Sequence, residues 1–207
     1  MRAFERMTGQ GGYEVMLFPL TMLYITQDEY GSYSHQGILA MDLVVTSMHH
    51  APIYAPCSCT CVAEIDANNK GRIFQSNNQV WTPAGLQYVT FMFFHDNNPI
   101  ASVGSTFQQG DLIAHTGTAG NVTGDHTHFN TAYGTYAGWT HVPPDNHGCL
   151  VNSSHIYETC YINDTDIVRG LGHNWVEYQG GVTPTGLTSG KFKWVLYANK
   201  LRARSQI

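Results

Sequence analysis

Gly124-Asp125-His126-Thr127-His128-Phe129 runs on through Asn130-Thr131-Ala132 to Tyr133, and the reading of this stretch decides the fold. A glycine turn leads into it, and His126–Tyr133 is rich in Thr and aromatic residues, as a strand bounded by a turn should be. In a strand, residues i and i+2 point to the same face, so His126 and His128 project together. Similar runs recur at Leu17–Ile25, Leu39–Thr46, Ile53–Ile65, Val80–Thr82, Gln87–Phe94, Leu112–His115 and Lys191–Ala198. Several alternate in polarity, the pattern of a half-buried strand. Turn signals separate them at Asp96-Asn97-Asn98-Pro99, Gln109-Gly110-Asp111, Thr116–Gly120 and Pro143-Pro144-Asp145-Asn146. Helix-period segments are scarce, so the fold class is mostly β.

Composition agrees. The chain has 207 residues, enough for one large domain or one domain with an extension. Its 21 Gly, 12 Tyr and 9 Phe suit short strands joined by tight turns. Charged residues are only 12%, with a net charge of −5, which argues against nucleic acid held through phosphates. The apolar runs are too short to cross a bilayer, so no membrane insertion is expected. Residues 1–15 read as an N-terminal segment, 16–133 as the strand-dense domain, and 134–207 as an extension packed on it. Within the extension, Gly134–Gln179 is expected to be irregular, Gly180–Gly190 a loop and Leu201–Ile207 a basic terminus. Met1–Gly12 carries Arg2 and Arg6 but no apolar core segment or cleavage site, so no signal peptide is expected.

Eleven His stand out, because His is the commonest metal ligand and a base near neutral pH. Ser34-His35-Gln36-Gly37 and Asp42 offer two further donors. Three protein ligands with one open position make a catalytic zinc site, and His35, Asp42 and one His of the later pair would supply them. The offset from His35 to Asp42 is odd, so a regular strand would point the two apart. A turn or bulge must intervene, and Gly37 permits one. His95 ends the apolar run Val89–Phe94, where a strand delivers a side chain to a cleft.

Other candidates have plainer readings. Cys57, Cys59 and Cys61 would share a face with Ala63 and Ile65, and read as small buried hydrophobes rather than a soft metal site with His49 or His50. His147, Cys149, His155 and Cys160 match no closed zinc pattern; Cys149 and Cys160 are read as a disulfide or as free thiols. His115, His141 and His173 are read as surface or packing residues, and Tyr33, Tyr133 and Tyr136 as packing in preference to lining a groove. There is no His-Glu-x-x-His, no Gly-x-Ser-x-Gly elbow and no phosphate loop.

In order, Ile25-Thr26-Gln27, Ser34-His35-Gln36-Gly37, Asp42, Pro52-Ile53-Tyr54-Ala55-Pro56, Phe94-His95, Phe107–Ala114, Gly117–Gly120 and Thr123–Phe129 resemble the lysostaphin/LytM-type zinc endopeptidases. The resemblance spans roughly Phe18 to Tyr133. It implies a small antiparallel β-sheet groove with Zn²⁺ on its floor, held by His35, Asp42 and His128, with His95 and His126 as catalytic histidines. It also implies hydrolysis of peptide bonds in bacterial peptidoglycan, in stem peptides or cross-bridges. Three features depart from the family. The connection to Asp42 is longer than usual, Asn130 stands where an acidic residue is frequent, and Cys57-Ser58-Cys59-Thr60-Cys61 replaces a segment that usually contains Gly. The long connection and the extension resemble phage-encoded relatives, released by lysis or carried in a virion tail, where other tail proteins would be partners. The alternative is a non-catalytic structural or wall-binding tail module on the same fold.

Overall fold

A computed structural model describes residues 7–20, 23–27, 29–45, 48–143, 147–163, 176–177 and 194–196. Its strands are β1 (Leu23–Gln27), β2 (Ala40–Val45), β3 (Pro52–Tyr54), β4 (Cys59–Ile65), β5 (Gly71–Ser76), β6 (Val80–Thr82), β7 (Gly85–Gln87), β8 (Val89–Phe93) and β9 (Thr106–Phe107). They continue with β10 (Leu112–His115), β11 (Thr127–Tyr133), β12 (Trp139–Val142), β13 (His147–Leu150), β14 (Ser153–Ser154), β15 (Ile162–Asn163), β16 (Val176–Glu177) and β17 (Trp194–Leu196). Among the described residues, one short α-helix, α1, covers Ile156–Thr159, and a 3-10 turn covers Gln10–Gly12.

The main sheet is antiparallel, in the order β1-β2-β11-β8-β5-β4-β9, with β14 paired to β11. Its two faces differ. On one, Met41, Leu43, Phe91, Phe93 and Phe129 bury against Phe18 and Phe74. Phe93 stacks on Phe129 at 5.1 Å between ring centres, and Phe74 on Phe91 at 5.5 Å, an offset arrangement that adds to the gain from burial. The opposite face is apolar at Ile73, Met92 and Ala132, where Leu150 and Trp139 cover it. Farther along that face, the alternation of β11 and β2 brings up Asn130, His128 and Asp42 instead.

The mostly β expectation matches this architecture, and β10 occupies the expected Leu112–His115. Other runs divide. Ile53–Ile65 becomes β3 and β4, because Pro56 has no N–H for a ladder and Ser58 donates its N–H to Glu14 Oε2 at 2.6 Å. In Leu17–Ile25, the strand β1 starts at Leu23, Leu17 makes an isolated bridge to Tyr161, and residues 21–22 lie outside the described residues. β5 was not among the expected runs, since Arg72 and Gln75 mask its apolar pattern, although Ile73 and Phe74 are fully buried. The region expected to be irregular holds the β12–β13 hairpin, β14 and α1. Within Lys191–Ala198 the strand is β17. The expected loop at 180–190, the basic terminus at 201–207 and His173 lie outside the described residues.

The cysteines are buried and free. Burial pushes the Cys57 and Cys59 thiols well up and the Cys160 thiol to about 12, so they stay protonated as small core residues. The shared face with Ala63 and Ile65 needs correction. A bulge between Cys61 and Ala63 shifts the register, so Cys59 and Cys61 join the phenylalanine core while Ala63 and Ile65 pack on the opposite face.

Candidate metal centre

Asp42 lies on β2 between buried Met41 and Leu43, so its side chain leaves the core on the other face. Across the ladder it pairs with His128, and directly paired residues share a face. His35 is not in a strand. It sits in a turn whose N–H donates to Gly31 O at 3.0 Å and whose carbonyl accepts from Ile38 N at 3.1 Å. Gly37, at φ +82°, turns the chain back into β2. This turn removes the problem of the odd offset.

The three donor atoms form an equilateral triangle. His35 Nε2 is 3.2 Å from His128 Nδ1, each lies 3.2 Å from Asp42 Oδ1, and no other such group of donors occurs among the described residues. A tetrahedral zinc with bonds of about 2.0–2.1 Å spaces its donors about 3.3 Å apart. Protonation supports the fit. His128 Nε2 faces the Gly148 carbonyl at 3.2 Å, which can only accept, so this nitrogen carries the proton. In neutral His128, Nδ1 is then a lone pair facing a carboxylate oxygen. Two acceptors at that distance need a positive centre between them, either a second imidazole proton or a metal ion. Burial pushes His128 toward its neutral form, and Asp42 offsets this only in part. Burial alone would raise Asp42, but hydrogen bonding and charge interaction with His128 and His35 hold it well below the carboxylate range. The set of two nitrogens and one anionic oxygen therefore fits zinc.

His95 and His126 stand beside the triangle, their ring centres 4.6 Å apart. His126 Nε2 is 3.7 Å from Asp42 Oδ1. Each ring gives its Nδ1 proton to a backbone carbonyl, His95 to Ala119 O at 2.8 Å and His126 to Gly124 O at 2.9 Å. In the neutral ring, each Nε2 is thereby the atom that can accept a proton. Burial and the neighbouring His126 lower His95 to about 3. His95 has φ +80°, unusual for a residue with a side chain. Its N–H donates to Asn69 O at 2.8 Å, and its carbonyl accepts from Ala119 N at 3.0 Å. Gly117 allows the close approach, because a Cβ there would lie 2.1 Å from His95 O.

Asp42, His95, His126 and His128 line a cleft of about 590 Å³ that also includes Tyr33, Asn69, Thr123 and His141. Tyr33 is 77% exposed and borders the cleft, contrary to the packing expectation. Tyr136 packs against Ile73, Met92 and Leu150, as expected. His141 stacks edge-on to Trp139 and also reaches the cleft.

The histidine–cysteine set in the extension does not gather. Cys149 packs with Ile38 and Ala40, Cys160 lies in the phenylalanine core, and His155 pairs with Glu29 at 2.6 Å. His115 pairs with Asp96. His50 pairs with Asp125, away from the thiols.

Three contributors escaped the sequence. Gly148 orients His128 from the β12–β13 hairpin. Gln27 contacts Asp42. Asn130 is fully buried; its Nδ2 donates to Leu39 O at 2.6 Å, and its Oδ1 accepts from Leu150 N at 2.7 Å. It thus ties the residue just before β2 to the hairpin, which accounts for an amide at a position where the resemblance favours a carboxylate. Asn130→Asp cannot donate to Leu39 O and buries a charge. A loss of about 2–3 kcal/mol is expected in urea unfolding. An unchanged midpoint would show that the amide's donor is dispensable.

No family model matches the chain. It is 37% identical over 176 residues to Morphogenesis protein 1 of Bacillus phage B103, an alignment covering 83% of this chain and 47% of that protein. The chain thus spans about half the length of that curated relative. Among solved structures it is similar to a zinc-containing peptidase from Vibrio cholerae, 16% identical with a TM-score of 0.45, covering 60% of this chain and 41% of that one. It is also similar to the catalytic domain of the antimicrobial peptidase lysostaphin from Staphylococcus simulans, 17% identical with a TM-score of 0.41, covering 56% and 84%.

Proposed function

We propose that the chain is a zinc-dependent endopeptidase that hydrolyses peptide bonds in bacterial peptidoglycan and acts as a phage wall-degrading protein. The observation that carries this is the triangle of His35, Asp42 and His128 donors beside two histidines whose Nδ1 atoms are held by backbone carbonyls. The ordered motifs and the phage relative support the substrate and the source. Residues 16–133 would form the peptidase domain, with 134–207 packed on it. Delivery would be as a virion tail component or by lysis, with tail proteins as partners in the first case.

When bound, zinc would supply Lewis-acid polarisation of the scissile carbonyl and acidify a water toward a pKa of about 7. The chain's own groups handle the proton. His126 Nε2 or His95 Nε2 accepts it from the attacking water and then hands the same proton to the leaving amine, while an imidazole whose Nε2 carries a proton stabilises the developing oxyanion. The backbone carbonyls at Gly124 and Ala119 fix the tautomer that makes each Nε2 available. Asp42, held ionised, completes the ligand set with His35 and His128.

Zinc content by elemental analysis, followed by clearing of purified walls, tests this reading. Stoichiometric zinc and wall hydrolysis are expected. Zinc-free protein that clears no wall type would favour the non-catalytic tail module.

A further inference from the structure

On the outer side of Asp42, β1 and β2 pair from Leu23↔Val45 through Ile25↔Leu43, then jump to Gln27↔Asp42. Thr26 is therefore an extra residue in β1, a bulge. Without it, strand alternation would place Gln27 on the face of Ile25, which is buried in the phenylalanine core. With it, Gln27 stands opposite Asp42 on the face of the site. Bulges beside active sites often re-aim a side chain in this way.

Both the nitrogen and the oxygen of the side-chain amide are engaged. Gln27 Nε2 donates to Asp42 Oδ2 at 2.7 Å and to Ser34 Oγ at 2.6 Å, and Gln27 Oε1 accepts from Ser34 N at 2.7 Å. Thr26 Oγ1 adds a contact to the Asp42 carbonyl at 3.2 Å. One buried amide thus spans Asp42 and the turn residue next to His35. By engaging Oδ2, it leaves Oδ1 as the oxygen that meets His35 and His128.

We propose that Gln27 is a positioning residue for the metal centre, holding two of the three donors at their spacing through Asp42 Oδ2 and Ser34. This rests on the zinc reading above. Groups that orient ligands typically contribute 10–100-fold in metal affinity. A tether that merely held the turn would contribute to folding and leave affinity alone.

The test titrates metal-free protein with zinc against a chromophoric chelator and records the melting temperature of each metal-free form. Gln27→Met keeps the volume and removes both polar functions. Gln27→Asn keeps the amide but is one methylene too short to bridge both partners. Both variants should bind zinc about 10–100-fold more weakly than wild type, beyond any change in the metal-free melting temperature. Wild-type affinity in both variants, with or without lost stability, overturns the proposal; if Gln27→Met does not fold, Gln27→Asn alone decides. Failure of the wild-type chain to bind zinc would sink the metal reading itself, a result distinct from equal binding by wild type and variants.

Discussion

His128→Ala should purify without zinc and leave isolated walls intact. His128 supplies one corner of the donor triangle, and His35 and Asp42 cannot close a tetrahedral site without it. A metal contributes several kcal/mol of transition-state stabilisation, so losing it should lower the hydrolysis rate by more than about 10³-fold. Folding must be followed in parallel, because His128 is 5% exposed on a central strand and its removal leaves a gap beside Phe94. Asp42→Asn serves as the companion variant: it keeps the volume and weakens the anionic ligand. Zinc retained in His128→Ala at the wild-type level, with walls still cleared, would remove this histidine from the site.

The second large effect separates chemistry from metal binding. His126→Ala should keep its zinc and lose about 10²–10⁴-fold in hydrolysis, the usual contribution of a positioned acid or base. The same is expected at position 95, where the variant must respect the backbone. Because φ is +80°, alanine would be strained, whereas asparagine tolerates the left-handed region. His95→Asn is therefore the informative change. Zinc analysis and wall clearing on both variants check the separation. Full activity in either would show that one histidine is enough for the proton transfers.

What the sequence disclosed follows from how local each signal was. The pairing of His126 with His128 needs only the two-residue period of a strand. The turn at Gly37 was required by the odd offset from His35 to Asp42, and the left-handed glycine is there. His35, Asp42, His95, His126 and His128 were gathered by motif order; in the structure Asp42, His95, His126 and His128 line one cleft, and His35 lies against Asp42 and His128 behind it. The hidden parts depend on partners far along the chain. Thr26 betrays no bulge until β2 lies beside it. Asn130 looks like a lost carboxylate until Leu39 and Leu150 arrive on either side. The break in β4 after Cys61 moves Ala63 and Ile65 across the sheet, which a period of two cannot anticipate.

The carbonyl of Gly148 also limits how this protein can be recombined. It lies fifteen residues past Tyr133, yet it sets which nitrogen of His128 carries the proton, and Asn130 fastens the same hairpin at Leu150. A chimaera joined just after Tyr133 would inherit all three candidate donors and lose the acceptor that orients one of them. Whatever cassette nature or an engineer moves intact must therefore extend through Leu150.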